Sequence, residues 1–267
     1  MSLDGQKGLV PMPDMQNTKD SRKVAIDRVG VSNVRYPIRV LDRAKETQQT
    51  TGTFTLTVSL SEEYKGTHMS RFLEALNVSN GEISVKSIPS LLTDLRARLK
   101  APDAQIDVDF NLFISKAAPV TGQTGMMEYA CRFEASQGES SQDFVMQVVI
   151  PIATLCPCSK EISAYGAHNQ RGYVTVRIRP TDMIWIEELI EEIEACASSP
   201  LYPVLKRPDE KFVTERAYDN PRFVEDMIRE VALVLNNDDR ISWYSIQVEN
   251  HESIHAHNAI AMLERTK

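Results

Sequence analysis

Phe144-Val145-Met146-Gln147-Val148-Val149-Ile150-Pro151-Ile152 reads as an apolar strand, and Tyr173-Val174-Thr175-Val176-Arg177-Ile178 as a second. Between them runs Leu155-Cys156-Pro157-Cys158-Ser159-Lys160-Glu161-Ile162-Ser163-Ala164-Tyr165-Gly166-Ala167-His168-Asn169-Gln170-Arg171-Gly172. Two strands joined by a segment longer than a hairpin needs point to a specialised connection. This one gathers two of the four cysteines, one of the five histidines and two cations. A long loop rich in nucleophile and metal-ligand types is more often functional than merely connective.

Working outward, Phe54, Leu56, Val58 and Leu60 alternate with Thr55, Thr57 and Ser59, the period of a half-buried strand. Met69, Phe72, Leu73 and Leu76 sit at helical spacing, with Thr67 as the expected N-cap. Ile88, Leu91, Leu92, Leu95 and Leu99 predict a second helix, with Pro89 in its first turn. Ile106 to Ile114 and Met127 to Phe133 alternate as strands, and Cys131 falls on the apolar side as a core thiol. A weaker strand is expected at Tyr36–Leu41.

The second half repeats this order. After the two opening strands, Asp182 is expected to cap a helix whose Met183, Ile186, Leu189, Ile190 and Ile193 are buried. Its Glu187, Glu188, Glu191, Glu192 and Glu194 are expected to face water, and Cys196 to end it. Pro200 to Asn220 reads as a long linker. Asn220 and Pro221 then open a helix with a Phe223, Val224, Met227, Ile228, Val231 and Val234 stripe. Ile241–Val248 and Ala259–Leu263 close the chain as strands. The element order is ββααββ, twice, which predicts an α+β fold of antiparallel sheets backed by helix pairs. The expected division is an N-terminal arm at 1–34, a first unit at 35–140 and a second at 141–267 carrying most of the site. Open sheet edges favour closure by oligomerisation.

With 25% charged and 42% hydrophobic residues, the 267-residue chain has an ordinary globular balance and length for a substantial core. Its net charge of −7 and scattered Lys and Arg argue against a nucleic-acid surface. Four cysteines are too sparse for a disulfide scaffold, and no apolar run approaches a membrane span. The N-terminal stretch has no apolar core of a signal peptide. The expectation is a cytoplasmic protein with reduced thiols and no membrane or nucleic-acid partner.

Three groups carry chemistry. Cys156-Pro157-Cys158 places two sulfurs on one side if the backbone is extended, and His168 is within reach of a folded-back loop. Structural zinc, a catalytic metal and no metal all remain open for this group, which lacks the fourth thiolate or imidazole of a closed structural site. His251-Glu252-Ser253-Ile254-His255 matches the zinc-peptidase signature, which works only on a helix, yet it follows a strand pattern. Lys206-Arg207-Pro208-Asp209-Glu210-Lys211-Phe212-Val213-Thr214-Glu215-Arg216 is either a solvated charged loop or a substrate loop offering a carboxylate ligand and phosphate contacts.

The chain resembles the GTP cyclohydrolase IB family, the type 2 branch of GTP cyclohydrolase I. The resemblance lies in Asp27-Arg28-Val29-Gly30-Val31, Gly66-Thr67-His68-Met69-Ser70-Arg71-Phe72, the Cys156 to Gly172 block, Arg207-Pro208-Asp209-Glu210-Lys211, Asn220-Pro221-Arg222-Phe223-Val224-Glu225-Asp226 and Glu252-Ser253-Ile254-His255-Ala256-His257-Asn258-Ala259. The Cys-Glu-His-His motif of the classical enzyme is missing. The resemblance implies the tunnelling fold (T-fold), two tandem ββααββ units assembling into a barrel-like homotetramer. It implies conversion of GTP and water to 7,8-dihydroneopterin triphosphate and formate, the entry step of folate biosynthesis.

It further implies a divalent metal, manganese or zinc, on Cys156, His168 and Glu210, and no organic cofactor. Glu252 and His255 would shuttle protons beside it, with Cys156 counted among the catalytic groups. Glu225 would anchor the purine, since a carboxylate accepts from both donors of guanine's N1/N2 edge. Lys160, Arg171, Arg207, Lys211 and Arg216 are the triphosphate candidates, and His68 and Arg71 are candidates to reach a neighbouring subunit's site. Rival readings are a tunnelling-fold nitrile reductase with a Cys nucleophile and NADPH, a non-catalytic purine- or metal-binding assembly module, and the peptidase.

Overall fold

The computed structural model describes residues 14–16, 18–79 and 81–267. The remainder of the arm expected at 1–34, including Asn17, lies outside the described residues. Strands β1 (Ile26–Asp42) and β2 (Glu46–Leu60) precede helices α1 (Ser70–Val78) and α2 (Ile88–Leu99), then β3 (Ala104–Ala117) and β4 (Thr124–Gln137). The second half runs β5 (Gln142–Leu155), α3 (Pro157–Ile162), β6 (Asn169–Pro180), α4 (Ile186–Cys196), β7 (Ser199–Pro200), α5 (Arg207–Asp219), α6 (Val224–Asn237), β8 (Ile241–Asn250) and β9 (Ala259–Thr266). The ββααββ order therefore occurs twice, with α3, β7 and α5 inserted in the second copy.

One antiparallel sheet runs through the chain in the order β1-β2-β3-β4-β5-β6-β8-β9, with β7 on β5. The two halves join where β4 pairs β5, from Ala130↔Val149 to Gln137↔Gln142. Alternate strand residues such as Leu56, Ile106, Val148, Val176 and Ile246 are buried, and they share one core with Leu92, Ile190 and Val231 of the helices. Helices thus cover one face of the sheet, as period-2 alternation requires. Cys131 lies in that core.

Several expectations change. β1 begins at Ile26 rather than Tyr36, so residues 26–34 are strand. Register shifts between Ile26 and Val29 and between Val31 and Val34 break the alternation there. Gly30 sits in this stretch because a Cβ would fall 1.9 Å from the Leu56 carbonyl oxygen. The linker from Pro200 to Asn220 contains helix α5. Thr67 precedes α1, whose N-cap is Met69. Asp182 accepts from the Met183 N–H at 2.6 Å but lies ahead of α4. Asn220 ends α5, and α6 is capped instead by Asp226 accepting from the Phe223 N–H at 3.0 Å.

Glu187 and Glu194 do not face water. They lie seven residues apart on one stripe of α4, and both are buried. Glu187 accepts from the Arg43 N–H at 2.8 Å, and Glu194 accepts from Lys116 Nζ at 2.6 Å and the Tyr129 hydroxyl at 2.8 Å. This side of α4 packs on the first half of the chain, and the partners replace much of the lost hydration, although Glu187 Oε2 is left without a hydrogen bond. Residues 251–258 form no helix, so His251 and His255 do not share a helical face and the peptidase reading fails. Among the described residues, no helix is long and apolar enough to cross a membrane.

Candidate active site

The loop between β5 and β6 is organised by backbone polarity. Leu155↔Asn169 is the last pair of the ladder, and the Cys156 N–H donates to the His168 carbonyl at 3.1 Å. Positions 156 and 168 are thereby held opposite each other. Pro157 opens the short helix α3, where a missing N–H costs nothing. Cys156 is its extended N-cap, and its sulfur accepts from the Ser159 N–H at 3.4 Å. Ser159 Oγ donates to the Cys156 carbonyl and accepts from the His168 N–H, each at 3.1 Å. Cys158 lies in the first helical turn and is exposed, so the two sulfurs do not share an extended backbone.

Beneath His168 lies a buried polar pair. Thr154 and Gln170 are cross-strand partners at positions where β5 and β6 otherwise bury apolar side chains. Gln170 Nε2 donates to Thr154 Oγ1 at 2.9 Å. That leaves Gln170 Oε1 as the acceptor facing His168 Nδ1 at 3.0 Å. With the amide in this orientation, Nδ1 is the ring nitrogen that donates, and Nε2 is turned away from the pair. Glu252 places Oε2 4.0 Å from the same Nδ1, and both side chains are largely buried.

The surrounding elements converge from the second half. The His251 N–H donates to the Arg171 carbonyl at 2.9 Å, which ties the β8–β9 loop, with Glu252 and exposed His255, to the start of β6. The His255 ring stacks on His257, with centroids 5.1 Å apart. The Arg222 N–H donates to the Leu155 carbonyl at 3.0 Å, bringing the start of α6 and exposed Glu225 to the end of β5. Lys160 of α3 donates to the Tyr218 carbonyl and lies 4.3 Å over that ring.

Other candidates are spread more widely. Glu210 is exposed in the first turn of α5, roughly 12 Å along the helix axis from Tyr218. Arg207 is exposed, and Lys211 is paired with Glu215 at 2.6 Å. Arg216 is half-buried near Lys116 and Tyr202. His68 pairs with Asp14 at 3.2 Å, and Arg71 donates to the Arg98 carbonyl at 3.0 Å. Both are engaged within the first half.

Gln170, Thr154 and Ser159 were not singled out from sequence. The available signal was a polar residue at an inward position of each strand, Thr154 after Ile150 and Ile152, and Gln170 before Val174 and Val176.

A profile described as type I GTP cyclohydrolase folE2 matches residues 12–261. The chain belongs to the GTP cyclohydrolase FolE2 family. It is 51% identical to GTP cyclohydrolase FolE2 of Geobacter metallireducens, over 97% of this chain and 99% of that protein. It is 52% identical to the FolE2 of Fervidobacterium nodosum, over 94% and 97%. The uricase of Arthrobacter globiformis superposes with a TM-score of 0.57 at 7% identity, covering 90% of this chain and 93% of that one. At that identity the likeness speaks for the fold alone, an α+β T-fold.

The FolE2 resemblance implies a divalent metal, and the donors present suit one. His168 offers a free Nε2 while its Nδ1 donates to a fixed acceptor, the usual arrangement of a ligating histidine. Cys156 is directly adjacent through its backbone. Thiolate, imidazole and carboxylate together suit zinc, and the carboxylate suits a harder ion such as manganese. Among the described residues, no three Cys, His, Asp or Glu side chains already converge as a metal cluster. Glu210 stands at the end of α5 away from the one tied to the Cys156 loop and is not brought together with Cys156 and His168.

Proposed function

We propose that this FolE2 chain hydrolyses GTP at the mouth formed by Cys156, His168, Glu252 and the start of α6. The products are 7,8-dihydroneopterin triphosphate and formate, the first committed chemistry of folate biosynthesis. The observation that carries the site assignment is His168, whose Nε2 is left free by the Gln170–Thr154 relay beside Cys156.

Cys156, His168 and Glu210 would hold a divalent ion, manganese or zinc, which when bound supplies Lewis acidity toward water and the purine ring. Water adds at C8, the imidazole ring opens, and a second water releases C8 as formate. The ribose then opens and rearranges to a 1-amino-2-ketone, whose carbonyl condenses with the freed N7 amine, returning one water and closing the dihydropterin ring. Each ring nitrogen that parts from C8 takes up a proton. Glu252 and His255, on the loop that His251 ties to Arg171, would exchange these protons with the substrate. Glu225 accepts from guanine N1–H and N2–H. Lys160, four residues past Cys156, and Arg171, three past His168, would with Arg207, Lys211 and Arg216 of α5 supply cations for the triphosphate.

A homotetramer is the assembly we favour. β1 and β9 are the ends of the sheet, and Ile162 and Tyr165 beside the mouth stand 84% and 101% exposed. A neighbouring copy would cover them, and His68 and Arg71 would serve its site. Residues 35–140 and 141–267 are read as tandem units. Four free cysteines fit a reducing cytoplasm.

The deciding experiment strips the purified protein with chelator, restores manganese or zinc separately, and follows formate and oxidised fluorescent pterin from GTP. Metal-restored release of both supports the reading. A folded protein that binds GTP but releases no formate with either ion overturns it.

A further inference from the structure

Asp209 is fully buried although it sits in a helix whose neighbouring side chains are almost all polar. It accepts four hydrogen bonds. One is from the Lys206 N–H at 2.9 Å, which caps α5. The other three come from the turn between β3 and β4 in the opposite half of the chain. They are the Val120 N–H at 2.9 Å, the Thr121 N–H at 2.9 Å and the Thr121 hydroxyl at 2.7 Å. A second contact joins the same two regions. Gly125, at the start of β4, has no room for a side chain, because a Cβ would meet Pro203 Cγ and Val204 Cγ2 at 2.9 Å each.

The far end of α5 is also held. Lys160 of α3 donates to the Tyr218 carbonyl, and α3 starts at Cys156. The helix is therefore a strut, fixed at one end to the Cys156 loop and at the other to the β3–β4 turn. Glu210 follows Asp209 directly, about 100° further round the helix. Once Asp209 is locked into the turn, the azimuth of Glu210 is set.

We propose that Asp209 is a positioning residue that fixes Glu210 for metal binding, with the β3–β4 turn of the first half as its fixed point. The inference rests on the proposed role of Glu210 as a ligand. The reason an anchor is needed lies in α5 itself. Its inward apolar seam is short, with Val213 and buried Ala217 in line behind Asp209, so the hydrogen bonds at its ends do much to define its rotation.

The test titrates manganese alone into full-length Glu210→Gln, Asp209→Asn and Thr121→Val proteins, with circular dichroism as the control for folding. Glu210→Gln should weaken manganese binding, as loss of a ligand. Asp209→Asn should weaken it about 10- to 100-fold, the range for losing an outer support, and excess manganese should restore kcat. Thr121→Val removes one hydroxyl and should shift affinity in the same direction by less. If Glu210→Gln binds manganese like the parent protein, the ligand role of Glu210 fails and the inference with it. If Glu210→Gln is weakened while a folded Asp209→Asn matches the parent, the inference alone fails. Should Asp209→Asn not fold, Thr121→Val decides, and parental affinity in that variant overturns the proposal.

Discussion

His168 Nδ1 lies 3.0 Å from Gln170 Oε1, and the other end of that amide is occupied by Thr154. In this orientation the amide presents an acceptor to Nδ1–H; turned over it would present a donor and select the other tautomer, so the orientation of Gln170 sets the histidine tautomer. Gln170→Leu should lower manganese affinity about 10- to 100-fold with secondary structure intact. Gln170→Glu still accepts from Nδ1 and should lose less. Calorimetric titration of manganese measures both, and equal affinity in the leucine variant would remove the relay from the site.

Cys156→Ala and His168→Ala should abolish metal-dependent formate release while leaving the circular dichroism spectrum unchanged. Both residues lie outside the apolar core, so their loss opens no cavity there. Turnover at the parental rate in either variant would contradict the site assignment.

Glu225→Gln replaces one acceptor by a donor that faces guanine's own donors. A buried unpaired group costs about 1–3 kcal/mol, so GTP binding should weaken roughly 10- to 100-fold. Fluorescence competition with a GTP analogue in metal-free protein isolates this from chemistry. Unchanged binding would exclude Glu225 as the purine anchor.

The four thiols should separate under alkylation. Burial pushes Cys131 up to about 12 and Cys196 up to about 11, so both stay protonated as well as shielded. Cys158 is exposed. Native iodoacetamide treatment at pH 8, read by mass spectrometry, should mark Cys158 and spare Cys131 and Cys196 until denaturant is added. Early labelling of Cys131 would be inconsistent with this core.

Asp238 gives a pH signature. Arg240 donates to it from its backbone N–H, Nε and Nη2 at 2.9, 2.9 and 2.8 Å, and these bonds outweigh burial and hold the carboxyl below the usual carboxylate range. A depressed folded pKa stabilises above the unfolded value of about 3.9 and is lost as pH falls through the lower folded value. The urea midpoints of parent and Asp238→Asn should differ at pH 6, and the gap should begin to close only below about pH 4. A gap that widens in acid would refute the assignment.

The sequence made most of this architecture legible through period. Phe54 to Leu60, Ile106 to Ile114 and Ile241 to Val248 alternate cleanly because one face meets helices. Residues 26–34 were not legible as strand, since the two register shifts in β1 erase the alternation. α5 was hidden for a different reason. It is held by Asp209 and end contacts, and its inward apolar positions, Val213 and Ala217, are too few to read as a stripe. The burial of Glu187 and Glu194 depended on Arg43, Lys116 and Tyr129, partners distant in sequence. At the site, Cys156 and His168 were marked by residue type alone. The relay through Gln170 and Thr154 required knowing which strand positions face each other.

The pairing of β4 with β5 has a practical corollary for splitting the gene. A break between residues 140 and 141 would cut only the short turn between those strands, and each polypeptide would then carry a raw edge eight pairs long. Produced separately, the fragments should clump through those edges. Produced together, each is the natural cover for the other, so activity should return by complementation without any covalent link.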